Sequence, residues 1–220
     1  ALTALEALRG VDAPAEIHSF EIDTAVLEFA LRHAGALGYL AGWELVVEEL
    51  LNRGEVRPLP RVLWRLHRGD YFERLGDAPP PAAIFHDPYS PARNPAMWSL
   101  ELFRAVRERC GEEEARLTNY TRSTAVRVTL VLAGWSVGLG AATGEKEQTT
   151  IASTRPEGLE APLGRDWLRR VRASANAAPL RGGRYAPGPI SQADWEALRA
   201  LPQFAAAAGE NACLPPAFNG

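Results

Sequence analysis

Residues 16–23, EIHSFEID, alternate apolar and polar positions downstream of Pro14, a period of two that predicts a strand. The next segment, 24–37, places Val26, Leu27, Ala30 and Leu31 at i, i+3, i+4 spacing, so it predicts an amphipathic helix with Thr24 as its cap. A second helix follows over 42–54, stopped by Gly54, and then a strand over 61–70 that ends at Gly69-Asp70. The apolar run Ala82-Ala83-Ile84-Phe85 predicts a buried strand over 81–87. Three prolines, Pro88, Pro91 and Pro95, stiffen the loop after it. Asn94-Pro95 has the form of a cap and first helical residue, and Trp98, Leu102 and Val106 at i, i+4, i+8 carry that helix to about Cys110. A strand over 115–121, a helix over 123–134 ended by Gly134, and a hairpin from WSVGLGAA to EQTTIAS (147–153) around Thr143-Gly144 complete the pattern.

Alternation of strand and helix with a closing antiparallel pair predicts an α/β fold, a mostly parallel sheet with a C-terminal antiparallel hairpin. In such sheets ligands bind beyond the carboxyl ends of the strands. Those ends carry Glu21 and Asp23, then Asp70, then Asp87, then Asn119-Tyr120-Thr121. Asp at strand ends also serves as a helix cap, but polar residues at one edge of four successive strands favour a ligand edge. Beyond about residue 154 the texture changes: proline becomes frequent, and two short amphipathic stretches, GRDWLRRV and QADWEALRAL, are too sparse for a core of their own. Residues 1–154 therefore read as the sheet domain and 155–220 as an appendage packed on it.

Composition adds bounds. The 220 residues are 46% hydrophobic and 23% charged, within the globular range. No window approaches a membrane span and no segment has signal-peptide form. Cys110 and Cys213 have neither metal nor disulfide spacing, which points to free thiols in a reducing cytoplasm. With a net charge of −3, contact with nucleic acid requires a local basic patch rather than a global field.

A carboxylate at the end of SFEID can accept both hydroxyls of a ribose. Glu21 suits this better than Asp23, since Phe20 and Ile22 point to the opposite face and Asp23 is placed to cap the next helix. Asp70 could accept from an exocyclic amine of a base, or could be only a turn residue after Gly69. Asp87 sits before a stiffened loop and beside Tyr89, a pairing that attracts a cationic amine through charge and ring face. There it can take a proton as the nitrogen becomes a nucleophile, or else cap a turn. His18 and His67 read as packing histidines inside strands, and His86 points away from Asp87. The run GLGAATG (138–144) reads as a hairpin rather than a phosphate loop, because no helix follows it.

The segments DPYSPARNPAMW, TNYTRSTAVRVTLVLAGWSVG and TGEKEQTTIAS resemble the methyltransferase of the tRNA 5-methylaminomethyl-2-thiouridine biosynthesis family, MnmC type. That family's Asp-x-Phe-(Ser/Ala)-Pro-x-(Lys/Arg)-Asn-Pro-x-(Leu/Met)-Trp signature is met at Asp87, Ser90, Pro91, Arg93, Asn94, Pro95, Met97 and Trp98, with Tyr89 in the aromatic position. The resemblance spans roughly residues 1–153. It implies a Rossmann-like fold and S-adenosylmethionine-dependent methylation of an aminomethyl group on a wobble uridine of tRNA. Asp87 would be the catalytic residue, with Glu21, Asp70 and Asp87 at the cofactor and Tyr89, Arg93 and Lys146 at the substrate. The alternatives are methylation of another amine, since Asp-Pro-Tyr also resembles the Asp-Pro-Pro-Tyr loop of amino-methyltransferases, and a non-catalytic protein that binds RNA or a partner protein.

The sequence departs from the family in three places. The turn before the fifth strand reads CGEEEAR, the basic segment is reduced to Gly144-Glu145-Lys146-Glu147, and the family's glycine-rich loop after its first strand is not among these residues, because they begin inside the helix that should follow it. The oxidoreductase module fused in some members is missing from these residues, so no flavin is expected, and with no metal triad in the sequence no metal is expected either. In this fold the first strand lies between those ending at Glu21 and Asp87, and nothing between Ala1 and Glu16 can form it. An upstream apolar strand with a glycine-rich turn is therefore expected, separating those two strands by about 9–10 Å, two strand spacings.

Overall fold

The computed structural model describes residues 1–40, 42–142 and 148–205. The chain divides into two compact units at Pro79/Pro80.

The first unit begins with helix α1 (Leu2–Leu8) and strand β1 (Ala15–Glu21), then helices α2 (Ala25–Arg32), α3 (Ala34–Leu37) and α4 (Glu44–Arg53). Strands β2 (Glu55–Leu59) and β3 (Val62–Arg68) and the short helix α5 (Tyr71–Arg74) follow. The helix expected over 24–37 is two pieces, because His33 leaves helical geometry at φ −114° and ψ 22°. Thr24 makes no side-chain cap bond; Asp23 does, its Oδ1 accepting from the Ala25 amide at 2.8 Å. Gly54 ends α4 at φ 77°, a left-handed value that glycine adopts without strain.

The sheet order is β1-β3-β2, with β1 parallel and β2 antiparallel to β3. Strand β2 has no counterpart in the sequence reading, because Pro58 breaks the strand pattern. Its edge position tolerates a residue that cannot donate to a ladder. One face of the sheet packs Val56, Val62, Trp64 and Leu66 against Leu5, Ala30, Trp43, Val47 and Leu50 from the helices. The polar corners of both tryptophans are satisfied: Trp64 Nε1 donates to Ser19 Oγ at 2.9 Å and Trp43 Nε1 to Glu6 at 2.8 Å. The other face carries a run of rings, with His67 stacked on His18 and Phe20, and Tyr71 edge-on to Phe20. His18 Nδ1 and His67 Nε2 share a hydrogen bond of 2.8 Å, the packing role expected of them.

The second unit holds β4 (Ala83–Phe85), α6 (Leu100–Cys110), β5 (Arg116–Asn119), α7 (Thr124–Leu132), β6 (Ser136–Gly140) and β7 (Thr149–Ser153). Helices α8 (Arg165–Ala173), α9 (Gln192–Arg199) and α10 (Pro202–Ala205) complete it. Its sheet order is β4-β5-β7-β6, parallel between β4 and β5 and antiparallel elsewhere. The hairpin thus joins through its second strand; its turn at Thr143-Gly144 lies outside the described residues. Strand β4 is shorter and barer than an apolar run suggests: it is an edge strand, and Phe85 is 72% exposed. The helix expected from Pro95 is a 3₁₀ turn over Pro95–Trp98 followed by an extended residue, Ser99. Ser99, not Asn94, caps α6, its Oγ accepting from the Leu102 amide at 3.2 Å.

Strands β1 and β4 belong to different sheets, and each has a single hydrogen-bonded neighbour.

The segment after residue 154 seals the second sheet. Leu139 donates to the Ala161 carbonyl at 2.8 Å and Leu163 to the Val137 carbonyl at 2.9 Å, so this stretch runs along the free edge of β6. Gln203 clasps the same edge: its Oε1 accepts from the Val137 amide, and its Nε2 donates to the carbonyls of Val137 and Leu163. Leu180 ties the segment to the helices, donating to Thr129 Oγ1 at 2.9 Å and accepting from the Leu100 amide at 2.8 Å. Gly138 and Gly140 serve this packing rather than a phosphate. A Cβ on Gly138 would meet the Ala161 carbonyl at 2.8 Å, and one on Gly140 would collide with Thr149 Oγ1.

Candidate active site

In the first unit Glu21 ends β1 opposite Arg68, and the Gly69 amide donates to the Glu21 carbonyl at 3.0 Å. The parallel register therefore brings Glu21 and Asp70 to one edge. The Glu21 carboxylate is exposed and accepts no hydrogen bond among the described residues, yet the surrounding chain desolvates it enough to raise its pKa above the ordinary value. Two free carboxylate oxygens at a strand end fit the vicinal hydroxyls of a ribose. Asp70 is engaged differently: its Oδ1 accepts from the amides of Phe72 at 2.8 Å and Glu73 at 3.3 Å, capping α5. Only Oδ2 is left to meet an exocyclic amine.

In the second unit the ends of β4 and β5 lie side by side, with the His86 amide donating to the Thr118 carbonyl at 2.9 Å. His86 and Asp87 then diverge as alternate residues do. His86 is 4% exposed and its Nε2 donates to the Met97 carbonyl at 2.8 Å, while its ring meets Trp98 and Phe103 edge-on. Burial pushes its pKa down to about 4, a shift opposed by the Met97 carbonyl, so the ring is neutral at pH 7. Asp87 is exposed, and its carboxylate has no hydrogen bond or ion pair among the described residues.

Three ring side chains hold the backbone of the proline loop. His86 holds Met97; Trp98, fully buried, donates from Nε1 to the Tyr89 carbonyl at 2.7 Å; and Tyr120 donates to the Pro88 carbonyl at 3.0 Å. Burial first, and the negative charge of Asp87 second, raise the Tyr120 pKa and keep that hydroxyl a donor. Tyr89, 70% exposed, and exposed Arg93 stand on the held loop with their side chains free for a ligand. Lys146 lies outside the described residues.

The arrangement is an unpaired carboxylate on a loop fixed before any ligand arrives, with an exposed aromatic ring two residues on. Sequence reasoning found Asp87 and Tyr89 but gave no role to His86 and Tyr120. The signal for both was their place one residue before Asp87 and at the end of the neighbouring strand. Among the described residues no cluster of His, Cys, Asp and Glu could hold a metal ion, and no helix is long and apolar enough to cross a membrane.

Residues 61–155 match a family model described as S-adenosyl-L-methionine-dependent methyltransferase. Over 115 residues, 50% of this chain, the sequence is 34% identical to the tRNA 5-methylaminomethyl-2-thiouridine biosynthesis bifunctional protein MnmC of Cupriavidus necator. Over 117 residues it is 30% identical to the protein of the same name from Methylibium petroleiphilum. The matches span 17% and 18% of those longer proteins. Among solved structures, MnmC2 from Aquifex aeolicus is similar at a TM-score of 0.60 and 25% identity, over 89% of this chain and 61% of that one.

Proposed function

We propose that this chain, whose residues 61–155 match a family model described as S-adenosyl-L-methionine-dependent methyltransferase, is an N-methyltransferase acting on the aminomethyl group of a modified wobble uridine in tRNA. One observation carries the reading: Asp87, a carboxylate with no partner of its own, stands on a loop whose backbone His86, Trp98 and Tyr120 hold in place. The names of the two curated relatives supply the RNA and the nucleotide, and the free carboxylate of Glu21 fits the ribose of the cofactor.

S-adenosylmethionine, when bound, supplies a methyl group on a sulfonium. Its transfer needs a neutral amine in line with the breaking bond, while a primary amine is an ammonium at pH 7. Asp87 attracts that ammonium and accepts one of its protons on a carboxylate oxygen, freeing the nitrogen lone pair. Tyr89 offers a ring face to the cation, and Arg93 offers charge to the RNA backbone. The rigid loop contributes by position: a group already oriented loses little freedom on reaction.

The test is methyl transfer from labelled S-adenosylmethionine to tRNA carrying the aminomethyl precursor, with calorimetry on the cofactor alone. Label on the exocyclic amine, and competition by S-adenosylhomocysteine, are the expected results. Cofactor binding with label on a different amine would overturn the tRNA assignment. No cofactor binding at all would overturn the enzymatic reading.

A further inference from the structure

Beyond Asp87 and its loop, the second unit contains a buried positive charge that the methyl-transfer reading does not use. Arg127 on α7 is 7% exposed. Its Nε donates to Thr150 Oγ1 at 2.9 Å and its Nη2 to the Thr149 carbonyl at 3.0 Å, both neutral acceptors. No carboxylate faces it among the described residues. Burial lowers its pKa, and the charges of Arg170 and Arg122 lower it further. Arg122 and Arg170 are exposed, and neither makes a hydrogen bond or ion pair among the described residues. The carboxylate nearest in sequence to Arg170, Asp166, is taken by Arg169. A cavity of about 460 Å³ opens along α8, lined by Asp166, Arg169, Arg170 and Ala173.

A second observation points the same way. Thr150 Oγ1, which accepts from Arg127, donates to the Thr121 carbonyl at 2.7 Å, and the Thr121 amide donates to Asn119 Oδ1 at 3.1 Å. Asn119 lies opposite Thr150 across the β5–β7 pair and is 7% exposed, yet its Nδ2 is buried without an acceptor. One network thus holds an uncompensated guanidinium and an orphaned amide donor. Both deficits are removed by one kind of ligand, an anion rich in acceptor oxygens, reached directly or through a water.

We propose that Arg122, Arg127, Arg170 and Asn119 form a phosphate-binding site at the end of β5. Resting on the reading above, its occupant is a backbone phosphodiester of the RNA substrate. The site supplies the local basic patch that a chain of net charge −3 needs for such a substrate. Arg127 fixes the phosphate from within, and the two exposed arginines collect it.

The test is binding of a fluorescent single-stranded RNA to the full chain across a salt series, with inorganic phosphate as competitor and cofactor affinity measured in parallel. Arg122→Gln and Arg170→Gln change exposed side chains, so the double variant is expected to keep the wild-type melting temperature. It should lose about tenfold in RNA affinity at moderate salt, and the slope of log K against log salt should fall by about 0.7, the value for the one phosphate contact released. Phosphate should compete with RNA on the wild type and much less on the variant. Asn119→Asp, which provides an internal acceptor, should raise the melting temperature while lowering RNA affinity. An unchanged salt slope overturns the proposal. A loss that falls on cofactor affinity overturns it too, by assigning the anion to the cofactor's carboxylate, and phosphate binding without any effect on RNA overturns the RNA occupant. These readouts involve no methyl transfer, so they stand or fall separately from the catalytic reading.

Discussion

Trp98 Nε1 donates to the carbonyl of Tyr89 at 2.7 Å, closing the proline loop from a position nine residues along the chain. The indole is fully buried, and the loop between the two residues is held at both ends. Trp98→Phe keeps most of the apolar contact but removes the donor to the part-buried Tyr89 carbonyl, at about 1 kcal/mol. A drop in melting temperature, together with a kcat loss larger than the KM change, is the expected result. Unaltered kcat would show that the loop needs no such anchor.

Asp87→Asn keeps the shape of the side chain and removes its capacity to hold a proton. Turnover should fall to background while calorimetry still records cofactor binding. Wild-type rates in this variant would remove Asp87 from the proposed chemistry.

Glu21→Ala should act on the cofactor instead. Loss of hydrogen bonds to a charged group weakens binding by about 1–3 kcal/mol, roughly five- to 150-fold in Kd. An unchanged dissociation constant would show that Glu21 does not hold the ribose.

His86 makes the second unit sensitive to acid. Its folded pKa of about 4 lies below the unfolded value near 6.5, so the fold favours the neutral ring. That contribution is complete above about pH 6.5 and is lost as pH falls toward 4, reaching about 3 kcal/mol at the acid end. His67 is shifted in the same direction by burial and then by His18, so the first unit gains the same sign of dependence. Denaturant melts of wild type and His86→Gln from pH 7 to 4 should converge as the pH falls. Parallel curves would show that His86 does not titrate with unfolding.

Gly138→Ala tests the seal along β6. The new methyl would press on the Ala161 carbonyl, a backbone atom that cannot swing aside, at about 1–3 kcal/mol. Circular dichroism melts would record the loss, and an unperturbed midpoint would mean that the 159–163 stretch gives way freely.

Much of this fold is legible in the sequence because periodicity reports burial. The alternation in EIHSFEID survives as β1, the helix expected over 123–134 forms as α7, and Gly54 ends α4 as expected. What escapes depends on neighbours distant along the chain. Strand β2 exists because β3 supplies the hydrogen bonds that Pro58 cannot disrupt from the outer edge, and no local pattern encodes that pairing. Trp98 fits a helical repeat yet sits in a 3₁₀ turn, because Ser99 takes the cap and the indole turns to Tyr89. At the site, Asp87 is legible from its place after a strand and before three prolines. Arg127 is not: an arginine in an apolar helix gives no warning that it is buried against Thr149 and Thr150.

The Gln203 clasp on Val137 and Leu163 sets an order of events during synthesis. As β6 leaves the ribosome its outer edge is open, and the residues that cover it have yet to be translated. Nascent chains paused between Gly140 and Gln203 would expose a strand ready to pair with any other, so this interval is where chaperone capture or intermolecular pairing should concentrate. Slower decoding across that stretch would lengthen the exposure, giving synonymous codons a route to influence the yield of folded protein.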